Sequence, residues 1–313
     1  MRILFMGTPD FALFSLKALV DSGEEVIGVV TQPDQPKGRG YVLTPPPVKV
    51  YAMERGIPVY QPDTLKSDEF YDLLKQLDPE LIVVTAYGKI LPQRVLDYPR
   101  YGCVNVHGSL LPEYRGAAPM QRAIMDGKKV TGVTTMMMDR GLNTGDMLLK
   151  AEFPIEETHN FETVHDKMGV CGVDVLLKTV EAIKNGTLVR IPQNGEQATY
   201  AAKIEKADCV LDFNRSAQEL HDQIRGLSPF PLAFTKTADG KMLKITAAEV
   251  AEKMGVHGAA GTVLSLDGGR VTVACGEGAL ALLGVLPEGK GRMTAAAWIN
   301  GRKVQVGDLL SMN

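Results

Sequence analysis

The stretch Arg2–Val30, "RILFMGTPDFALFSLKALVDSGEEVIGVV", decides the fold class. Its first six residues, "RILFMG" (2–7), form an unbroken apolar run of strand length. "FALFSLKALVDSG" (11–23) then carries helical spacing and is stopped by Gly23. "EVIGVVTQ" (25–32) is a second strand. Strands apolar on both faces, alternating with helices, predict a parallel sheet covered by helices. The alternation continues through "ELIVVTAYG" (80–88), "CVNVHG" (103–108), "TGVTTMMMD" (131–139) and a long helix over 161–186 that ends at a glycine. The segment "PDQPKGRGYVLTPPPVKV" (33–50) is too rich in Pro and Gly for regular structure and reads as a mobile loop.

The pattern changes after residue 189. "RIPQNGEQATYAAKI" is linker-like, and beyond Ala207 the chain offers one helix, "SAQELHDQIRGL" (216–227), then only short strands. These are "KMLKITAAEV", "GTVLSLDGG", "RVTVACGEG", "ALALLGVLP" and a C-terminal "KVQVGD", spaced by turns as in a small β-barrel. The expected division is a catalytic domain at 1–189, a linker at 190–206 and a β-barrel domain at 207–313. The 313 residues suffice for two domains, with 45% hydrophobic and 23% charged residues.

A formal net charge of −3 exerts no global pull on nucleic acid or anionic membranes, and no apolar run is long enough to span a bilayer. The opening residues read as a first strand rather than a signal peptide. Cys103, Cys171, Cys209 and Cys275 lie far apart without a C-x-x-C pair, which argues against a zinc site and a disulfide scaffold and for a reducing cytoplasm.

The turn "MGTPDFA" (6–12) sits where dinucleotide folds hold phosphate, yet only Gly7 of the G-x-G-x-x-G fingerprint is present. A plain strand-to-helix turn is the better reading. "VNVHGSLLP" (104–112) says more. Asn105 and His107, two apart on a strand, share a face, and Gly108 and Pro112 mark the strand's carboxyl end, where open α/β sheets bind ligands. A single polar residue there is ordinary core; two together point to a site. An acidic neighbour would orient the imidazole and favour its charged form. "MMMDRGLNTGDMLL" (136–149) supplies Asp139 and Asp146, and spacing alone separates them poorly. Amide, imidazole and carboxylate without a nucleophilic Ser or Cys suit direct acyl transfer. The amide stabilises an oxyanion, worth about 3 kcal/mol, and the imidazole shuttles protons for about 100- to 10,000-fold. Ser109 lacks the G-x-S-x-G elbow and belongs to the binding turn.

"VNVHGSLLPEYRGAAPMQRAI", "GLNTGDML", "MGTPDFA" and "TQPDQPKGRG" together resemble the methionyl-tRNA formyltransferases, within the folate-dependent formyltransferase family. The resemblance covers essentially the whole chain. It implies a Rossmann-like catalytic domain and an OB-like C-terminal barrel, with Asn105, His107 and Asp146 as the catalytic trio. It also implies that Ser109, Leu110, Leu111 and Pro112 bind 10-formyltetrahydrofolate. The expected reaction passes the formyl group to the α-amino group of methionyl initiator tRNA, in a monomer, without a metal. Asp146 would hold His107 and raise its basicity. Lys37 and Arg39 would approach the tRNA, with Lys49 further on.

The charge pattern alone does not suggest RNA, since residues 203–313 hold 13 Lys/Arg against 12 Asp/Glu. Lys203, Lys206, Lys241, Lys244 and Arg270 are secondary candidates for phosphate contact. Trp298 reads as barrel core before it reads as a stacking residue. Tyr87 and Gly88 end a strand beside the proposed site, and Ile90 and Leu91 fit a pterin pocket or plain helix-start packing about equally. Rival readings are formyl transfer to a small amine such as glycinamide ribonucleotide, a silent RNA-binding protein, and a dehydrogenase. The first leaves the second domain without work, the second leaves Asn105–His107 unexplained, and the third lacks its glycines.

Overall fold

The computed structural model describes residues 1–37 and 42–312. Two compact units emerge. The first comprises Met1–Gly116, Val130–Phe153 and His165–Ala201; the second comprises Ala117–Lys129, Pro154–Val164 and Ala202–Asn313.

The first unit is built on a sheet in which, among the described residues, seven strands lie in the order Met147–Pro154, Val130–Met137, Cys103–His107, Leu81–Thr85, Arg2–Gly7, Glu25–Val30, Val59–Tyr60. The last five run parallel, and Val130–Met137 is antiparallel to Cys103–His107. Strand order reverses beside Arg2–Gly7. The chain builds outward on one side and then returns to lay Leu81–Thr85 on the other, which opens a crevice at the carboxyl ends. Ile3 to Met6 and Leu81 to Val83 are essentially without solvent contact, so both sheet faces are covered. On one face Leu4, Met6, Ile82 and Val84 pack with Phe70 and Leu74 of the helix Asp68–Leu77. Burying each such side chain stabilises by about 1.5–3 kcal/mol.

The 33–50 segment differs from its reading as irregular. Gln35–Lys37 and Val42–Thr44 pair as an antiparallel hairpin, and a helix starts at Pro47, where a first-turn proline loses no needed N–H. Arg39 lies outside the described residues.

In the second unit an antiparallel sheet runs in the order Ala233–Lys236, Met242–Glu252, Ala279–Pro287, Val271–Ala274, Val263–Ser265. The helix Ala217–Gly226 begins with a full capping box between Ser216 and Glu219. Its Leu220 and Ile224 enter a core shared with Leu243, Ile245, Leu280 and Leu282. Trp298 is buried there too, on a short helix, Ala295–Asn300, that strand periodicity did not foretell. The expected strand at "KVQVGD" is absent among the described residues; that stretch is irregular, and a bridge to Thr262 comes only at Leu309, just beyond it.

Two arginines draw earlier segments into this unit. Arg122 grips Asp208 with two hydrogen bonds of 3.0 and 2.8 Å and donates to the carbonyls of Ala202 and Lys203. Arg225, 5% exposed, donates to Asp222 and to the carbonyls of Glu156 and His159. No described helix is long and apolar enough to cross a membrane.

Gly132 tests the strand pairing. A Cβ there would lie 2.1 Å from the Ala151 carbonyl oxygen and 2.9 Å from Glu152 Cα, and backbone cannot retreat as a side chain can. Gly132→Ala therefore costs about 1–3 kcal/mol, read from urea unfolding; an unchanged midpoint contradicts the close approach.

Candidate active site

Strand Cys103–His107 is flanked on both sides, and its register aligns the two polar residues. Asn105 lies opposite Val84 on one side and Met136 on the other, while His107 lies opposite Thr134. Both project from one face at the strand's end, Asn105 half-buried and His107 5% exposed.

The turn after His107 is pinned by main-chain and hydroxyl contacts. Thr134 Oγ1 accepts from the Leu111 N–H (3.1 Å) and donates to the Ser109 carbonyl (2.7 Å). Ser109 Oγ donates to the Glu113 carbonyl at 2.7 Å, and Lys150 Nζ donates to the Leu111 carbonyl. Leu111 is fully buried against Met136 and Met147, whereas Leu110 and Pro112 keep partial exposure. Of the four turn residues, Leu111 is thus core, and Leu110 and Pro112 are the side chains open to a ligand.

The chain turns again at Tyr114, which adopts a left-handed backbone (φ 58°) and takes a 2.8 Å bond from its own N–H to Thr199 Oγ1. That conformation aims the Tyr114 carbonyl at His107 Nε2, 3.0 Å away. A carbonyl only accepts, so Nε2 carries the proton and the Nδ1 lone pair is left as the basic position. Burial pushes the imidazole down to about 4, against the smaller upward pull of that carbonyl. Among the described residues no hydrogen bond or ion pair joins His107 to Asp146. The expectation that a carboxylate raises the basicity of His107 therefore gives way to desolvation, which disfavours the charged ring.

Asp139 and Asp146 separate clearly. The Asp139 carboxylate takes both its oxygens to Thr144 Oγ1 (2.7 and 2.8 Å) and one to the Gly141 N–H, closing its own loop. Asp146 is half-buried, and its main-chain carbonyl accepts from the Met137 N–H at 2.9 Å. Gly145 must be glycine, because a Cβ would sit 1.9 Å from the Met137 carbonyl oxygen. Gln193 Nε2 donates to the carbonyls of Asn143 and Gly145 (2.9 and 2.7 Å), and Arg115 holds Gln193 Oε1 from its other side. Asn105 Nδ2 reaches Asn143 Oδ1 at 3.4 Å. So the Asn105 strand and the Asp146 loop meet through Asn143. Sequence reading missed Gln193, which sits in a stretch that looks like linker, and missed Tyr114 and Thr134, whose roles need the backbone path.

At the sheet's reversal point, Thr8 Oγ1 and Gln32 Nε2 both donate to the Tyr87 carbonyl. Tyr87 and Leu91 are buried and Ile90 is exposed. Lys49, expected to face tRNA, is instead bonded to Asp34 and Gln61 at 2.8–2.9 Å. Lys241 pairs with Asp239 and Arg270 with Glu249, while Lys203 and Lys206 are exposed. Lys37 closes the first strand of the hairpin.

Residues 1–180 match the formyl transferase family and residues 203–303 match the formyl transferase C-terminal domain. The chain belongs to the formyl transferase family. The methionyl-tRNA formyltransferases of Acetivibrio thermocellus and Bacillus subtilis are each 47% identical to it, over 99% and 100% of this chain and 99% and 98% of theirs. Among solved structures, an N-formyltransferase from Helicobacter canadensis in complex with folinic acid and dTDP-3-aminofucose aligns with a TM-score of 0.67 at 20% identity, covering 90% of this chain and 98% of that one. HypX from Aquifex aeolicus in complex with tetrahydrofolic acid aligns at 0.64 and 19% identity, covering 97% of this chain. The chain spans 48% of the length of HypX. At these identities the likeness is one of fold.

The depressed basicity of His107 has a measurable sign. Unfolded imidazole binds a proton near about 6.5, above the folded value of about 4. The neutral ring's contribution to stability is thus complete above the unfolded value and is lost as pH falls toward the folded one. In NMR titration the His107 ring signal should move near pH 4, and His107→Gln should flatten the stability loss between pH 6.5 and 4. A midpoint near 6.5 would overturn the buried, carbonyl-bound ring.

Proposed function

We propose that this formyltransferase passes the formyl group of 10-formyltetrahydrofolate to the α-amino group of methionyl initiator tRNA. The observation that carries the reading is full-length identity of 47% to methionyl-tRNA formyltransferases, joined to an amide and a neutral imidazole side by side at a sheet end. Folate-bound relatives of the same fold support the donor class.

The amine attacks the formyl carbon while neutral, and α-amino groups titrate near about 7.7–8.0. Attack places negative charge on the formyl oxygen. The Asn105 amide has two N–H donors, and the one not turned to Asn143 answers that charge. The proton released by the amine goes to His107 Nδ1, because Nε2 is tied to the Tyr114 carbonyl. Burial holds His107 neutral, so Nδ1 is open to that proton. The ring then returns the proton to the departing folate nitrogen, and C–N cleavage yields formylmethionyl-tRNA and tetrahydrofolate. Asp146, on the loop held by Gln193, steadies the positive charge that crosses the site. Leu110 and Pro112 contact the folate from the turn that Ser109 and Leu111 brace. The second unit, read as an OB-like barrel in residues 207–313 beyond a 190–206 linker, holds the tRNA with Lys203 and Lys206 as phosphate contacts, and the loop carrying Lys37 and Arg39 in the first unit approaches the same tRNA.

In a formyl-transfer assay on charged initiator tRNA, Asn105→Ala should lower kcat/KM by about 100- to 1,000-fold and His107→Ala by about 100- to 10,000-fold. Filter binding of the tRNA should persist in both. Faster transfer to glycinamide ribonucleotide than to the charged tRNA would sink the proposal.

A further inference from the structure

Within the second unit, three side chains converge with no role in formyl transfer. Glu157, from Pro154–Val164, meets His221 and Asp222 of the helix Ala217–Gly226, and one potential ligand atom from each lies within 4.8 Å of the others. The imidazole is the informative member. His221 is 9% exposed, and its Nδ1 is buried without a hydrogen-bond partner among the described residues. Nδ1 stands 3.9 Å from Glu157 Oε2 and 4.0 Å from Asp222 Oδ1, too far for a hydrogen bond to either. A buried polar atom left unpaired costs about 1–3 kcal/mol, and here it faces two carboxylates across a gap.

We propose that Glu157, His221 and Asp222 form a binding site for a divalent transition-metal cation such as Zn2+. One imidazole and two carboxylates are a borderline donor set that suits this class. Zinc bonds of about 2.0–2.2 Å place tetrahedral donors about 3.3–3.6 Å apart. The observed spacings therefore need a contraction on the order of 1 Å, to which Glu157 contributes because its side chain is 57% exposed. The remaining charges are already arranged around that gap. Lys129 holds Glu157 Oε1 at 2.6 Å, and Oε2 is the oxygen that stands 3.9 Å from His221 Nδ1. Arg225 Nε donates to Asp222 Oδ1 at 2.7 Å and fixes that carboxylate, as outer partners of metal ligands do. Gln218 Nε2 donates to both Glu157 Oε2 and Asp222 Oδ2 at 3.3 Å and bridges the two carboxylates, and water completes the coordination. The cation clips residues 154–164 to the helix, adding to the Arg225 bonds at Glu156 and His159.

The test is calorimetric titration of the full chain with Zn2+ in a non-coordinating buffer, with thermal unfolding in parallel. One equivalent should bind and raise Tm. His221→Ala and Glu157→Gln, which leave the Arg225–Asp222 pair intact, should each weaken binding at least 10-fold and abolish the Tm rise. Substituted Co2+ should show a d–d spectrum without a thiolate band, which separates this site from the half-buried Cys171. No saturable binding, a thiolate signature, or affinity unchanged in both variants would overturn the proposal. None of these readouts depends on formyl transfer.

Discussion

The structure around the candidate site rests on the double pairing of strand Cys103–His107. It is held in parallel by Leu81–Thr85 and in antiparallel by Val130–Met137. A one-residue slip against either neighbour would send Asn105 and His107 to the opposite face. With two neighbours the slip breaks two ladders at once, so both side chains are placed by backbone rather than by their own contacts. Thr134, opposite His107, extends the same control into the turn by bonding Leu111 and Ser109 together.

Desolvation decides the state of His107. A carboxylate partner would have made it a cation, whereas the Tyr114 carbonyl offers a dipole and little else. A carbonyl orients a neutral ring and specifies its tautomer without stabilising a full charge. For transfer to an amine, that leaves a base able to accept a proton at neutral pH. The Asp146 loop is organised separately, through Gln193 and the close approach at Gly145.

The second unit shows how charge joins segments distant in the chain. Arg122 and Arg225 each combine a carboxylate with main-chain carbonyls. A planar guanidinium with five donors can satisfy such mixed sets, which an ammonium cannot. Removing Arg225 would leave the buried Asp222 carboxylate without its cation, whereas the carbonyls that Arg122 bonds are open to water. The same logic draws attention to the buried Nδ1 of His221, which faces two carboxylates and has no hydrogen-bond partner among the described residues.

From the sequence alone came the alternation of strands and helices, the shift to β structure after residue 207, and the pairing of Asn105 with His107. Each depends on short periodicities that survive without tertiary context. The choice between Asp139 and Asp146 stays open on spacing, because both sit in one glycine-rich loop and spacing does not say which closes it. The tertiary structure decided that Asp139 closes its own exposed loop onto Thr144, that Lys49 is taken by Asp34, and that residues 117–129 pack with the second unit. It also decided that His107 is neutral and which of its nitrogens is basic. Those outcomes come from burial and from partners 5 to 86 residues away, and neither composition nor periodicity carries information about which group fills a given lone pair.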